Sequence, residues 1–174
     1  MKLLVTIPAY NEEENIIPVI KKIPSFLAGI EQIEILVIDD GSTDNTVKKV
    51  KEETNAKIIS HEKNRGVGAA FQSGINYALD GKFDTVINID ADGQFEPTDI
   101  PKLIAPILAN EADLVTASRF IDKELVPQMS KIKLWGNQQV ACLISHLTGN
   151  KFYDVSCGFR AYNQEALLNL NLFG

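Results

Sequence analysis

Hydrophobic positions along this chain follow two alternating rhythms. Short β-branched runs at residues 3–7, 33–39, 56–60, 85–90 and 113–118 have the length and composition of strands. Between them, Val67, Ala70, Phe71, Gly74, Ile75, Ala78 and Leu79 recur at the three- and four-residue spacing of one helix face. Ile100, Leu103, Ile104, Ile107 and Leu108 repeat that spacing. A further helix is expected from about Glu13, with Pro24 kinking or ending it and Pro18 inside it. Strands that alternate with helices need crossover connections. The pattern therefore predicts an α/β fold with a mainly parallel sheet and helices on both faces.

The rhythm breaks at about residue 119. From there to about 160 a loop precedes "KIKLWGNQQVACLISHLTGN", whose Ile132, Trp135, Gln139, Val140, Leu143 and Leu147 share roughly one face of a helix. That face either packs on the domain or meets a membrane or an acceptor. A chain of 174 residues with 45% hydrophobic composition favours one domain, 1–174. Its last stretch, "LLNLNLFG", is apolar with nothing after it to provide cover, the expectation for a domain cut short at the C-terminus.

Charge narrows the partners. A net charge of -6 and a pI near 4.9 argue against a nucleic-acid binder, which would carry a basic patch, so any anionic ligand must be met locally. Cys142 and Cys157 lack the spacing of a zinc site or disulfide framework, and a reducing, cytoplasmic setting is expected. No run reaches the length of a membrane span and no signal-peptide pattern opens the chain, although the protein is expected to sit beside a membrane. His61 and His146 stand alone in the sequence and read as surface or packing residues, and Trp135 as core.

Ligands of an open parallel sheet bind beyond the carboxyl ends of its strands. Here those ends carry "PAYNEEEN", "DDGSTD", "DADGQ" and "SRF", four polar clusters far apart in sequence. Asp44 and Asp99, near helix starts, are expected to be caps or turn formers. The pair Asp90 and Asp92 is harder to explain that way. Two carboxylates ~4 Å apart repel by roughly 4 kcal/mol at an effective dielectric near ~20. With no lysine in the loop, a divalent cation is the natural counter-charge, and oxygen ligands from Asp90, Asp92 and nearby Gln94 suit Mg²⁺ or Mn²⁺. Such an ion keeps positions open for substrate phosphates, and Arg119 adds a cation able to grip phosphate oxygens in bidentate fashion. The cluster reads as a diphosphate site.

Two other motifs fail on detail. "DADGQFEPTDI" opens like a calcium loop but has Gln94 at its fifth position, Pro101 at its twelfth, and a strand before it. "GVGAAF" resembles a dinucleotide fingerprint but places Phe71 where the third glycine belongs, so Gly66 and Gly68 are expected to serve a turn and close helix packing.

Together, "IPAYNEEENI", "VIDDGSTDNT", "NRGVGAAFQSGI", "NIDADGQFEP", "TASRF" and "DVSCGFRAYN" resemble the family 2 glycosyltransferases of the GT-A (Rossmann-like) fold, and among them the polyprenyl-phosphate sugar transferases typified by dolichol-phosphate mannose synthase. The six motifs stand in the family's order and cover nearly the whole chain. The resemblance implies that Pro8, Ala9, Tyr10 and Glu12 line a nucleotide pocket, with Ile38 and Asp40 beside base and ribose. It makes "DADGQ" a DxD-type motif, with Asp90, Ala91, Asp92 and Gln94 around metal and donor diphosphate and Arg119 facing the phosphates. Asp154 and Arg160 fall at the acceptor end, where they either bind the acceptor, with Asp154 as a base, or pin a turn as a salt bridge.

The implied activity is metal-dependent transfer, with inversion, of a sugar from a UDP- or GDP-linked donor to a polyprenyl phosphate at the cytoplasmic face of a membrane. Asp92, Asp154 and Arg119 are its expected catalytic residues. The alternatives are transfer to a sugar hydroxyl in a cell-surface glycan, a nucleotidyltransferase, and a non-catalytic nucleotide-sugar-binding module. The nucleotidyltransferase lacks support because no glycine-rich basic loop follows the first strand.

Overall fold

The computed structural model describes residues 1–118, 139–146, 153–154 and 157–170. The chain divides into two compact units, Met1–Val115 with Phe159–Gly174, and Thr116–Gly158. In the first, β1 (Lys2–Ala9), α1 (Ile16–Lys22), β2 (Gln32–Asp39), α2 (Thr46–Glu53), β3 (Lys57–Ser60), α3 (Val67–Asp80), β4 (Thr85–Asn88), a 3-10 turn (Pro97–Asp99) and α4 (Ile100–Leu108) follow in order. They are followed by β5 (Leu114–Thr116), and after the second unit by β6 (Arg160–Asn163) and α6 (Gln164–Leu170).

The six strands form one sheet in the order β3-β2-β1-β4-β6-β5. β1 pairs in parallel with β2 and β4, and β2 with β3, as the alternating pattern requires. Leu3, Leu4, Val5 and Ile7 of β1 are wholly buried, because a strand with neighbours on both sides and helices on both faces has no solvent side. One face of the sheet, carrying Leu4, Leu36, Ile38, Val86 and Tyr162, packs with Ala70, Ile75 and Ala78 of α3. Close approach is possible because position 74 is glycine: a Cβ there would lie 3.2 Å from the Thr6 Cγ2 atom. Gly66, with φ 90°, makes the turn into α3 as expected, but a Cβ at Gly68 would meet nothing within 4 Å, so close packing falls to Gly74 instead.

Several expectations shift at their edges. α1 starts at Ile16 rather than Glu13, since the Asn15 and Ile16 N–H groups first find the Glu12 carbonyl, and it ends at Lys22, two residues before Pro24. Val67 is 71% exposed, so the buried stripe of α3 begins at Ala70. Asp44 is a turn former: its carboxylate accepts the Thr46 and Glu13 N–H groups. Asp99 occupies the N-cap of α4 but makes no side-chain cap bond, and its carboxylate accepts from Lys102 instead, at 2.7 Å.

β6 and α6 were not expected. β6 runs antiparallel to β4, with Asn163 opposite Thr85 and Arg160 opposite Asn88. α6 buries Leu167 completely in the α3 cluster, so at this position the terminal apolar stretch is covered, while Leu168 is 59% exposed.

In the second unit residues 139–146 are helical (α5). Of the proposed apolar face, Ile132, Trp135 and Leu147 lie outside the described residues. Val140 and Leu143 are 46% and 59% exposed, and Ala141 is the buried residue. The described part of that face therefore points outward. No helix among the described residues is long and apolar enough to cross a membrane.

Candidate active site

The strand order fixes where a ligand can enter. From β1 the chain moves outward to β2 and β3, then returns through α3 to place β4 on the other side of β1. The loops after β1 and β4 leave this end of the sheet side by side, and the elements they lead into meet, with Lys22 of α1 bonding Glu96 at 2.8 Å; the space between the two loops at the strand ends is the usual place for a ligand of such sheets. "PAYNEEEN" lines one side of it and "DADGQ" the other. Because β6 is antiparallel, its first residue, Arg160, also comes to this edge. The structure thus gathers Pro8, Ala9, Tyr10, Glu12, Asp90, Ala91, Asp92, Gln94 and Arg160 along one end of the sheet.

The loop after β4 is shaped as an open turn. The Ile89 N–H still bonds the Thr6 carbonyl in strand fashion, Asp90 is half-buried, Ala91 is buried, and Asp92, Gly93 and Gln94 are exposed. Gly93 has φ 73°, and the Gln94 N–H bonds Asp92 Oδ1 at 2.9 Å, closing the turn with one carboxylate oxygen and leaving Oδ2 for another partner. Among the described residues no three His, Cys, Asp or Glu side chains converge as a closed metal cage. Two carboxylates and an amide on an exposed turn fit a hard cation that takes its remaining ligands from substrate and water. Beneath the turn, Phe95 and Phe159 rings sit 5.6 Å apart, tying this loop to the residue before Arg160.

The opposite wall is a zipper between the loops after β1 and β2. Tyr10 is 46% exposed, and Asn11 adopts φ 56°. The Asn11 N–H bonds Ser42 Oγ while its Oδ1 accepts the Thr43 N–H, at 2.9 and 2.8 Å. The Glu12 N–H bonds Thr46 Oγ1, and the Glu13 carboxylate accepts both nitrogens of Asn45. Five hydrogen bonds among seven residues thereby fix an irregular backbone at the crevice rim, where a ligand needs a formed surface.

Two expected ligand residues lie behind that surface. Ile38 is fully buried in the α3 cluster, and Asp40 is 4% exposed. Asp40 Oδ1 takes His61 Nδ1 at 2.6 Å and the Arg65 N–H at 2.9 Å, while Oδ2 accepts the Gly66 N–H at 2.7 Å. Burial pushes its pKa up, but the His61 bond, both backbone N–H bonds and the His61 charge outweigh that and hold it below 3.8. Burial likewise acts upward on Asp44, and bonds from Thr46 and Glu13 bring it below 3.8. Carboxylates with lowered folded values stabilise the fold above their unfolded values and stop doing so as the pH falls through the folded ones. The urea midpoint should therefore hold from pH 7 to about 5 and fall steeply below about pH 4. In Asp44→Asn, part of that acid-side slope should disappear.

His61 is a packing residue, one of the two readings given for it: its side chain, just after β3, is 6% exposed between Asp40 and Ser73. Asp154, in the second unit, is 1% exposed. Arg119 lies outside the described residues.

A mixed six-stranded α/β sheet with Asp90 and Asp92 in the loop after β4 gives the class, an α/β fold with its candidate site at the strand ends. The family follows from comparison: a profile of glycosyl transferase family 2 matches residues 4–170, and the chain belongs to that family. It is 34% identical over 177 residues to the UDP-N-acetylglucosamine--dolichyl-phosphate N-acetylglucosaminyltransferase of Methanococcus voltae, covering 92% of this chain and 69% of that protein. It is 29% identical over 176 residues to the polyprenol monophosphomannose synthase of Mycolicibacterium smegmatis, covering 98% and 65%. Glucosyl-3-phosphoglycerate synthase from Mycobacterium tuberculosis, solved with UDP, superposes with a TM-score of 0.71 at 25% identity over 94% of this chain and 57% of its own. The same enzyme has also been solved with Mn²⁺ and UDP-glucose, at a TM-score of 0.68 and 24% identity. The chain thus spans about two thirds of these curated relatives and little more than half of the structural neighbour.

Proposed function

We propose that the chain, as a single catalytic domain, transfers a sugar from a nucleoside-diphosphate donor to a polyprenyl phosphate, with inversion at the anomeric carbon. The observation that carries this reading is the Asp90–Gln94 turn at the mouth of the β1/β4 crevice, in a chain whose relatives bear the names of dolichyl-phosphate and polyprenol transferases. The donor lies along the crevice with its diphosphate at Asp90 and Asp92 and its sugar toward β6. Asp90, Asp92 and Gln94 would hold a Mg²⁺ or Mn²⁺ ion, which would supply positive charge for the leaving diphosphate. Arg119 grips the phosphate oxygens. The bond from the anomeric carbon to the diphosphate oxygen breaks as an acceptor oxygen bonds to that carbon, and the nucleoside diphosphate leaves with the electron pair.

A lipid phosphate arrives already anionic, so little is asked of a base. Asp154 then serves to orient the acceptor, and the exposed Val140 and Leu143 meet the cytoplasmic membrane surface that carries it. A second reading, transfer to a hydroxyl, is favoured by the fold's likeness to a phosphoglycerate-glucosylating enzyme and would make Asp154 the base. Asp154→Asn distinguishes a chemical role from a structural one: donor affinity should stay within about twofold while transfer falls about tenfold or more. A matched loss of both would make Asp154 a structural residue. The donor half is tested by calorimetric titration of UDP, GDP and their sugar conjugates with and without Mn²⁺. Binding of one nucleotide only with metal is expected, and binding of none overturns the reading.

A further inference from the structure

The face of the sheet that packs on α3 is apolar at Leu4, Leu36, Ile38, Val86 and Tyr162, and it changes character at the last rung before the site. Side chains two apart on a strand share a face, so Thr6 follows Leu4, Asn88 follows Val86 and Arg160 precedes Tyr162. Thr6 stands in register with Asn88, and Asn88 with Arg160. Three adjacent strands thus carry polar residues in one row, where Thr6 and Asn88 are 2% and 7% exposed. A valine would fill the place of Thr6 among Leu3, Leu4, Val5 and Ile7 without a buried hydroxyl to satisfy.

That hydroxyl grips β4. Thr6 Oγ1 donates to the Ile87 carbonyl at 3.1 Å and to Asn88 Oδ1 at 3.2 Å, one proton shared by two acceptors, while the Thr6 carbonyl accepts the Ile89 N–H at 3.0 Å. One residue of β1 therefore holds three consecutive residues of the neighbouring segment. Its rotamer is set from behind: the Cγ2 methyl faces α3, where a Cβ at position 74 would lie 3.2 Å from it, and the hydroxyl is left to point at β4. Asp90 is the next residue along, followed by the exposed turn that the Gln94 N–H closes on Asp92.

We propose that Thr6 is a positioning residue for the metal and diphosphate end of the site: by clamping Ile87, Asn88 and Ile89 it sets the direction in which the chain leaves β4, and hence where the Asp90 carboxylate stands relative to Asp92. The proposal rests on the donor reading above. Groups that act together in a site must be held to within about 0.5 Å, and changing a group that only supports metal ligands costs about 10- to 100-fold in metal affinity. Thr6 acts through backbone one step behind the ligands, so the lower end of that range applies.

Two substitutions divide the side chain between its roles. Thr6→Val keeps the shape against Gly74 and loses the hydroxyl, whereas Thr6→Ser keeps the hydroxyl and loses the methyl group. Both should lower Tm by about 2 to 4 °C, one through lost hydrogen bonds and the other through lost packing. Metal dependence should separate them. The Mn²⁺ concentration needed for half-maximal binding of whichever of UDP or GDP the wild-type chain binds, read by calorimetry, should rise about tenfold in Thr6→Val and stay within about threefold in Thr6→Ser. If Thr6→Val does not fold, Asn88→Ala removes one of the two acceptors and should raise the same concentration about threefold. An unchanged Mn²⁺ requirement in the variant that folds, or equal rises in Thr6→Val and Thr6→Ser, overturns the proposal, because a role in the fold alone would move the two together. A wild-type chain that binds neither nucleotide overturns the donor reading itself, and the role of Thr6 with it, and is distinguished because no variant is needed to see it.

Discussion

Replacing Asp92 by asparagine should raise the Kd of the donor nucleotide in Mn²⁺ about a hundredfold while leaving the unfolding temperature where it was. The substitution separates charge from structure. The Oδ1 atom that accepts the Gln94 N–H survives as the asparagine carbonyl, so the turn closes as before. Asp92 is exposed, and an exposed substitution that preserves its one structural bond costs within about 0.5 kcal/mol. What disappears is one of two negative charges, and with it the means of holding a hard cation against a diphosphate. Changing groups that only support a metal's ligands already costs about 10- to 100-fold in metal affinity, and removing a ligand's own charge is expected at the upper end of that range. Titration with and without Mn²⁺ reads the effect directly. A variant that keeps the metal-dependent part of its affinity would place the ion elsewhere.

The largest effect on folding is expected at Gly41. Gly41→Ala puts a methyl group 2.6 to 2.8 Å from the Lys63 carbonyl carbon, the Asn64 nitrogen and the Lys63 Cα, all backbone atoms that cannot rotate away. A left-handed φ of 78° adds a further penalty for any residue with a Cβ. Overpacking of this kind costs about 1 to 3 kcal/mol and the left-handed backbone about 1 more, so a loss of about 3 kcal/mol is expected. In a chain of this size that lowers Tm by roughly 10 °C. Thermal unfolding checks it, and a shift of less than about 3 °C would mean that the 61–66 segment lifts off Gly41 at little cost.

These positions mark what the sequence could and could not reveal. The four parallel strands and the helices over 67–80 and 100–108 were legible because burial on both sheet faces enforces near-continuous apolar runs in β1 and β4, the edge strand β3 keeps two adjacent isoleucines, and burial on one helix face enforces a 3.6-residue repeat. β6 escaped because Arg160–Asn163 is four residues long with only two core residues, Ala161 and Tyr162; it is a strand through pairing with β4, which no local pattern encodes. Without β6 there was no route by which Arg160 could be placed at the sheet edge from periodicity, and only the resemblance supplied it.

Within the site, the acids at strand ends were legible as a cluster because strand direction alone sends them to one edge. Their division of labour was not. Asp92 and Asp40 look alike in sequence, each following a strand and preceding glycine, yet Asp92 stands exposed on a turn and Asp40 is enclosed by three donors. Burial decides that difference, and it depends on His61 and Gly66, more than 20 residues away. The partners of His61 were illegible for the same reason, since an isolated histidine carries no periodic signal.

The central claim is that sugar moves from a nucleotide to a lipid phosphate. The most direct measurement incubates the chain with Mn²⁺, a polyprenyl phosphate in detergent and, in turn, radiolabelled UDP- and GDP-linked sugars, then counts label extracted into the organic phase. The account predicts label in the lipid fraction for one donor, lost on chelation of the metal and in Asp92→Asn. Label that moves only to a water-soluble acceptor, or stays on the nucleotide in every combination, would contradict it.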